Sequence, residues 1–466
     1  MNYSVVIVGS GTSGQTVAIK LAQAGISVAL IDDRPLGGTC ALRGCTAKKY
    51  FVVNRELMDG ARDLQAQGLE GLPLPQWEQT LALKNRFTDT VPENTLAYLK
   101  SLGIHVFQGT AVLNSPDSLQ VIPSQFRRAS ESAKTTAITE LTFDSLVLAC
   151  GSDPRVPQIP GIELTLDSED FLSLAQAPQS MIILGAGYIA FEFSHIAASY
   201  GARVTILDRN ASPLPLFDPG LVQQLLASAQ SRGIRYVPES SAASIEKTPG
   251  GLRVTDTAGN AWEAEVVLNA TGRVPRTAEL NCPAGNVELK GSGIRVDAWG
   301  RSASNPKVFA VGDSVAGLPM LAPVADGMAE VVAEVLLNRG DNSCVTPFSS
   351  LVIPSTVFSN PPLASVGLSE TAAGEKYGED LIVNASDTSQ WISSQRIGQR
   401  HSGYKVLIQR STKKILGAHL LSHNSSEVIN IFALAMAADL PAPQLEKLPW
   451  AYPTAVSDIK YMLRTV

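Results

Sequence analysis

The chain is 466 residues long, 45 % hydrophobic and 17 % charged, with a formal net charge of −6. That composition belongs to a folded globular chain of two to four domains and excludes a disordered one. The mildly acidic balance supplies no extended phosphate-binding surface, and no apolar run reaches the ~18 residues of a membrane span, so neither nucleic acid nor membrane is an expected partner.

Met1-Asn2-Tyr3-Ser4 runs straight into the apolar stretch Val5-Val6-Ile7-Val8 without a basic leader. With only five cysteines in the chain, a reducing cytoplasmic setting is expected. The Val5–Val8 run reads as a parallel strand buried on both faces. Gly9-Ser10-Gly11-Thr12-Ser13-Gly14 follows, then a helical pattern through Leu21 and a second strand, Val28-Ala29-Leu30-Ile31, closed by Asp32. A lone GxGxxG is weak evidence. Between a strand and a helix, with an acid 23 positions after its first glycine, it is a dinucleotide fingerprint. The glycines allow a tight turn and close backbone approach, the helix N-terminus faces a pyrophosphate, and Asp32 holds a ribose diol.

The next stretch, Gly37-Gly38-Thr39-Cys40-Ala41-Leu42-Arg43-Gly44-Cys45-Thr46-Ala47-Lys48-Lys49, gathers two of the five cysteines among glycines and lysines. A redox-active dithiol is expected, because a thiolate needs neighbouring positive charge or a helix N-terminus. Structural zinc usually takes paired ligands, and no second Cys or His pair follows at suitable spacing, so no metal site is expected. Residues five apart on an ideal helix have Cα atoms roughly 8 to 9 Å apart. A disulfide needs less than about 7 Å. Cys40 and Cys45 can therefore bridge only if the helix start is distorted, which Gly44 permits, and Lys48 lies one turn beyond Cys45.

Residues from about 52 to 110 read as long helices carrying Trp77, Phe87 and Tyr98. The Ser/Thr-rich residues 112 to 142 read as strands joined by an exposed loop around Arg127 to Lys134. Phe143 to Ala149 is another buried strand, ending at Cys150-Gly151-Ser152-Asp153-Pro154. The fingerprint then recurs. Met181–Leu184 leads to Gly185-Ala186-Gly187-Tyr188-Ile189-Ala190, a helix and Val204-Thr205-Ile206-Leu207-Asp208, and Gly185 to Asp208 again spans 23 positions. Two such units narrow the field to enzymes passing electrons between two dinucleotides, most simply a flavin and a nicotinamide. The second unit ends near Thr271-Gly272-Arg273. Lys307 to Asp313 is a strand with a Gly312-Asp313 terminus, where Asp313 serves a cofactor hydroxyl or is a solvated turn residue. Leu321-Ala322-Pro323 opens a helix. The last 120 residues, with strands at Tyr404–Gln409 and Ile415–Leu420 and helices from Glu427 and Pro441, carry no nucleotide signal and read as an interface domain.

The fingerprint at Gly9–Gly14, the Gly-Gly-Thr-Cys-x4-Cys stretch, the second fingerprint, Gly312-Asp313 and Pro354-Ser355-Thr356-Val357-Phe358-Ser359-Asn360-Pro361-Pro362 occur in an order that resembles the flavoprotein disulfide reductases. These are enzymes of the glutathione reductase, dihydrolipoamide dehydrogenase and mercuric reductase type, and the resemblance covers essentially the whole chain. It implies an α/β fold with two Rossmann-like dinucleotide-binding domains and a C-terminal α+β dimerisation domain. The expected bounds are an FAD domain in two parts, 1–151 and 279–346, an NAD(P) domain at 152–278 and an interface domain at 347–466. FAD would lie on Gly9, Gly11 and Gly14, with Asp32 on its adenosine ribose, Asp313 on its ribitol, and Gly38, Thr39, Gly151, Gly312 and Ala322 around it. NAD(P)H would lie on Gly185, Gly187, Tyr188, Ile189, Ala190, Asp208, Arg209 and Gly272, with Tyr188 covering the nicotinamide pocket. Lys48 matches the lysine beside the flavin and Glu192 its ion-pair partner. Cys45 would be the flavin-proximal thiol and Cys40 the interchange thiol, and a homodimer is implied.

The departures fall at the outer end of this arrangement. Where the family carries His-Pro-Thr followed by Glu, this chain has Tyr452-Pro453-Thr454-Ala455-Val456-Ser457-Asp458. Tyr452 replaces the His and Ser457 its orienting Glu, while Asp458 stands one position later. A phenol with a pKa near ~10 is a poor base at neutral pH. Disulfide exchange is therefore expected to lose ~10²–10⁴-fold, the usual worth of a positioned base. Tyrosine here is similar to mercuric reductases, yet the last residues, Tyr461–Val466, carry no cysteine pair, and Cys150, Cys282 and Cys344 stand isolated. The family's proline after the second cysteine is also absent, the residues being Thr46-Ala47. Asp208 favours NADH, whereas Arg209 and the Ala190 variant suit NADPH, and the choice stays open. The expectation is an NAD(P)H-dependent FAD oxidoreductase cycling Cys40–Cys45 toward a small-molecule or metal-ion acceptor. Two alternatives stand beside it: diaphorase-type or mercuric-reductase-like reduction at the flavin, and a catalytically reduced redox sensor.

Overall fold

The structure is a computed structural model that describes residues 1–123 and 137–464; the loop expected at Arg127 to Lys134 lies outside them. The chain divides into two compact units. One comprises residues 1–49, 82–155 and 273–351, the other residues 50–81, 156–272 and 352–466.

The first unit is built on a parallel sheet in the order Val308–Ala310, Thr139–Leu148, Asn2–Val8, Val28–Asp32, His105–Ser115. Val6, Ile7, Leu30 and Ile31 are fully buried in it, as continuous apolar runs demand when both faces are covered. Ser118–Pro123 pairs antiparallel with the far ends of His105–Ser115 and Thr139–Leu148. The helix Thr12–Gln23 returns the chain from the first strand to the second and buries Val17, Ala18 and Leu21. The helices expected from about 52 to 110 are Cys45–Leu64, Trp77–Thr88 and Val91–Ser101. The helical reading overran, because Gly103 turns the chain at φ +76° and His105-Val106-Phe107-Gln108 then enters the sheet opposite Ala29–Asp32.

The second unit repeats the strand–helix–strand plan. Its parallel sheet runs Val266–Asn269, Ser180–Leu184, Arg203–Leu207, Ile234–Val237. The helix Tyr188–Ser199 between two of these strands is buried along most of its length. A three-stranded antiparallel sheet, Ala242–Thr248, Gly251–Asp256 and Ala261–Ala264, follows. The C-terminal part is a five-stranded antiparallel sheet in the order Ser355–Val357, Leu363–Gly367, Ile415–Leu421, Gly403–Gln409, Leu381–Asp387. The helix Ser425–Ala437 packs Val428, Ile429 and Phe432 against it. Beneath the apolar core of this unit runs a buried ionic chain. Arg232 donates to Asp59 at 2.8 Å and to both carboxylate oxygens of Asp63 at 2.9–3.0 Å. Arg55, only 1 % exposed, donates to the Ser359 carbonyl at 2.6 Å and lies 3.9 Å from Asp59.

Candidate active site

In the first unit the turn after Asn2–Val8 is shaped by contacts that no side chain larger than hydrogen survives. Gly9 sits at φ +110°, and a Cβ there would overlap the Ala149 carbonyl; one on Gly14 would overlap the Gly9 carbonyl. The helix Thr12–Gln23 thus starts against the strand end, with Gly11 as its N-cap, no side-chain cap and no acidic residue in its first turn. Its first N–H groups and the positive end of its dipole remain available to an anion. Asp32 faces this turn. The Ser10 N–H (2.7 Å) and hydroxyl (2.6 Å) donate to its Oδ2, and the Arg34 N–H (2.9 Å) to its Oδ1. A carboxylate has about four lone-pair sites, so roughly one remains on Oδ1 for a ribose hydroxyl. Burial raises the Asp32 carboxyl above its ordinary value despite these bonds. The helix Ala322–Leu337 presents a second N-terminus with neither a side-chain cap nor a first-turn acid.

At the other strand ends, Gly312–Ser314 forms a single turn and the Ser152 hydroxyl donates to Asp313 Oδ2 at 2.7 Å. Arg273 in turn donates to the Ser152 hydroxyl at 2.8 Å and to its carbonyl. Asp313 is therefore a carboxylate held in place by a chain of donors. Gly151 precedes this serine at φ +71°. The residues present fit the pyrophosphate and hydroxyl groups of a dinucleotide.

The cysteine stretch crosses the same turn. Gly38 is at φ +72°, and a Cβ there would overlap the Gly11 Cα, so only glycine lets the stretch pass over the fingerprint loop. Gly38–Arg43 is a short helix carrying Thr39 and Cys40; Gly44 breaks it at φ −139°, ψ −119°, and Cys45–Leu64 starts a new one. The helix is thus interrupted between the two cysteines. The Cys45 side chain is near enough to bear on the Cys40 thiol. Cys40 Sγ lies 4.0 Å from the Thr46 hydroxyl. Cys40 is half-buried and Cys45 exposed. The bond from Cys45, followed by those from the Thr46 hydroxyl and backbone N–H, lowers the Cys40 thiol to about 6, against the opposing effects of burial and Asp326. Of the two neighbouring lysines, Lys48 is buried (6 % exposed) and Lys49 half-buried. Cys150, by contrast, is pushed up to about 12 by burial and is inert as a nucleophile.

The second unit repeats the bare helix start. Gly187 is the N-cap of Tyr188–Ser199, without a side-chain cap or first-turn acid, and has open space around it. Gly185 at φ +91° would bring a Cβ to 2.7 Å from the Ala270 carbonyl. Tyr188 is 37 % exposed, whereas Ala190 is buried. Asp208, buried at the end of Arg203–Leu207, accepts from the Asn210 N–H (3.3 Å) and side chain (3.2 Å) through Oδ1. Burial and then this carboxylate drive the Tyr236 phenol above its usual range. Arg209 beside it is exposed. Gly272 sits at φ +118° beyond the last parallel strand. Glu192 is buried and accepts from the Phe358 N–H at 3.0 Å, with the Arg55 cation close enough to bear on it.

Tyr452 is 69 % exposed, and its ring lies 5.8 Å from Lys460 Nζ. Ser457 does not serve it. Ser457 exchanges backbone–side-chain bonds with Thr454 in a capping box and donates to the Thr454 carbonyl at 2.6 Å. Asp458 is held by Ser393 and drawn on by Arg396 and Lys460, though burial keeps its carboxyl above the usual range. Four participants had no motif to mark them: Ser10 on Asp32, Ser152 on Asp313, Thr46 on Cys40 and Arg55 near Glu192. Only Ser10 carried a usable signal, as the residue between the first two fingerprint glycines.

The pyridine nucleotide-disulphide oxidoreductase family model matches residues 3–329, and its dimerisation-domain model residues 353–463. A glutathione reductase from Nostoc sp. is 27 % identical, covering 99 % of both chains. A dihydrolipoyl dehydrogenase from Chlamydia trachomatis is also 27 % identical, covering 97 % of this chain and 94 % of its own. The solved Cu(II) complex of RclA, an HOCl-induced flavoprotein disulfide reductase from Escherichia coli, superposes with a TM-score of 0.86 at 25 % identity, covering 99 % of each chain. With both models matched in order over a fold that repeats the dinucleotide plan and ends in a dimerisation domain, this chain belongs to the pyridine nucleotide-disulphide oxidoreductase family, FAD-dependent enzymes that use NAD(P)H.

Proposed function

We propose that this chain transfers electrons from NADH, by way of FAD, to a Cys40–Cys45 disulfide and on to an acceptor whose reduction needs no His–Glu proton relay. The observation that supports the reading is the stretch itself: Gly44 breaks the helix between two cysteines five positions apart, and Cys45 bears on the Cys40 thiol. On this reading FAD is held by residues 1–151 and 279–346, NADH by 152–278, and the partner subunit is met through 347–466. Bound FAD would supply two-electron exchange between the nicotinamide and the cysteine pair.

The chain's own residues then divide the work. The bare N-terminus of Thr12–Gln23 takes the pyrophosphate, Asp32 and Asp313 take hydroxyls, and Gly38 lets the cysteine stretch lie close over the loop. Cys45 receives an electron pair, the S–S bond breaks, and Cys40 departs with the other pair as a thiolate that can attack an acceptor. Lys48 favours the negative charge that gathers around Cys45. Asp208 selects NADH, because a buried carboxylate at that strand end accepts from a ribose diol and repels a 2′-phosphate.

The test is reduction of the purified holoenzyme with NADH. A long-wavelength thiolate–flavin absorption band should form and should vanish in Cys45→Ser; a band and turnover indifferent to that change would sink the reading. Turnover with glutathione disulfide, lipoamide, Hg²⁺, Cu²⁺, quinones and oxygen identifies the acceptor. A second reading, direct reduction of a metal ion or quinone at the flavin, is favoured by the absent relay and by the Cu(II) complex of RclA. Retained metal or quinone turnover in the Cys40→Ser/Cys45→Ser double variant would establish it in place of the first.

A further inference from the structure

Cys40 must leave a broken disulfide carrying negative charge, yet the position that would serve its proton is a tyrosine whose neighbouring serine is spent on a local cap. The Thr46 hydroxyl lies 4.0 Å from Cys40 Sγ, at the outer limit of a hydrogen bond to sulfur, and the Thr46 backbone N–H also bears on that sulfur. Both groups belong to the first turn of Cys45–Leu64, where N–H groups lack helical partners and the dipole is positive. We propose that Thr46 is a catalytic residue that holds Cys40 as the outgoing thiolate, in place of the relay that Tyr452 and Ser457 do not provide. The proposal rests on the reading of Cys40 as the interchange thiol.

The electron balance is simple. Two electrons from NAD(P)H enter the disulfide, the S–S bond breaks, and Cys40 keeps its bonding pair. No proton has to be removed from it before it attacks an acceptor, because Thr46 donates a hydrogen bond and keeps its own proton. The groups that bear most on Cys40 are Cys45 and Thr46 from one helix and Asp326 from Ala322–Leu337, with the cations of Arg43, Lys48 and Lys49 in the same stretch. Asp326 carries a negative charge and opposes the thiolate. Its own carboxyl is raised by burial, while a bond from Thr16 works the other way. The lowering of Cys40 to about 6 agrees with this arrangement.

The experiment is iodoacetamide alkylation of the NADH-reduced holoenzyme across pH, with Cys40 and Cys45 followed separately by peptide mass spectrometry. In the parent protein and in Thr46→Ser the Cys40 rate should rise through about pH 6. Thr46→Val should move that midpoint up by about one unit, making Cys40 about fivefold slower to alkylate at pH 6. A Thr46→Val profile that superposes on the parent overturns the proposal, even with a lowered Tm, because a purely structural threonine would cost stability and leave the midpoint unmoved. A parent midpoint in the ordinary thiol range overturns it as well. Turnover that survives complete alkylation of Cys40 overturns the underlying reading instead, and is scored separately from the Thr46 comparison.

Discussion

The Ser457 hydroxyl donates to the Thr454 carbonyl at 2.6 Å, so the residue in line with the family's His-orienting carboxylate uses its polar group on its own turn. Tyr452 is left exposed, with Lys460 over its ring as its cationic neighbour. Ser457 occupies the third position of a capping box, where glutamate is also favoured. Tyr452→His with Ser457→Glu should therefore raise glutathione or lipoamide disulfide turnover by ~10²-fold or more, the lower end of what a positioned base supplies. Steady-state assay of the double variant checks this; an unchanged rate would show that substrate recognition is limiting. At the other cofactor, Asp208→Ser should lower the ratio of NADH to NADPH kcat/KM by at least about tenfold, about 1.4 kcal/mol of discrimination. The replacement removes the charge that repels a 2′-phosphate and leaves exposed Arg209 to attract one.

Between residue and fold stands the short helix Gly38–Arg43, which is bracketed by glycines with different duties. Gly38 is required by contact: its missing Cβ is what allows the stretch to cross Gly11. Gly44 is where helical geometry stops and restarts, a departure from the ideal helix on which cysteines five apart stand too far to bridge. Gly38→Ala pairs a strained φ of +72° with a backbone clash, so it should push the cysteine helix off the fingerprint loop. FAD retention through gel filtration, read from the 450 nm to 280 nm absorbance ratio, should fall by more than half. Gly60→Ala, at a position open to solvent on the following helix, should leave it unchanged.

On the scale of the molecule, the buried Arg55–Asp59–Arg232–Asp63 chain is the feature most costly to break. Arg55 is 1 % exposed and burial lowers its pKa, and the carboxylates and the Ser359 carbonyl that face it offset the cost of burying its charge. Arg55→Met removes one partner from a buried set and should cost about 3 kcal/mol, since Asp59 keeps Arg232. Chemical denaturation of the holoprotein measures this directly. The dimerisation domain supports a homodimer, and Leu434, Leu448 and Tyr452 stand exposed within it. Sedimentation at micromolar concentration should give twice the chain mass.

The two strand–glycine–helix–strand–acid units, their matched 23-residue spacing and the paired cysteines were all legible from residue order. Buried parallel strands declare themselves as apolar runs, and glycines in a tight turn are required locally. The helix expected to continue to residue 110 failed because propensity does not show where Gly103 turns the chain into a sheet edge opposite Ala29–Asp32. The contacts that give the site its character were settled only in three dimensions: Ser10 on Asp32, Ser152 on Asp313, Thr46 against Cys40, and Ser457 turned back on Thr454. Each is a polar contact whose existence depends on where the backbone places two groups, to within a fraction of an ångström. Periodicity specifies which elements form; only their packing decides which polar groups meet.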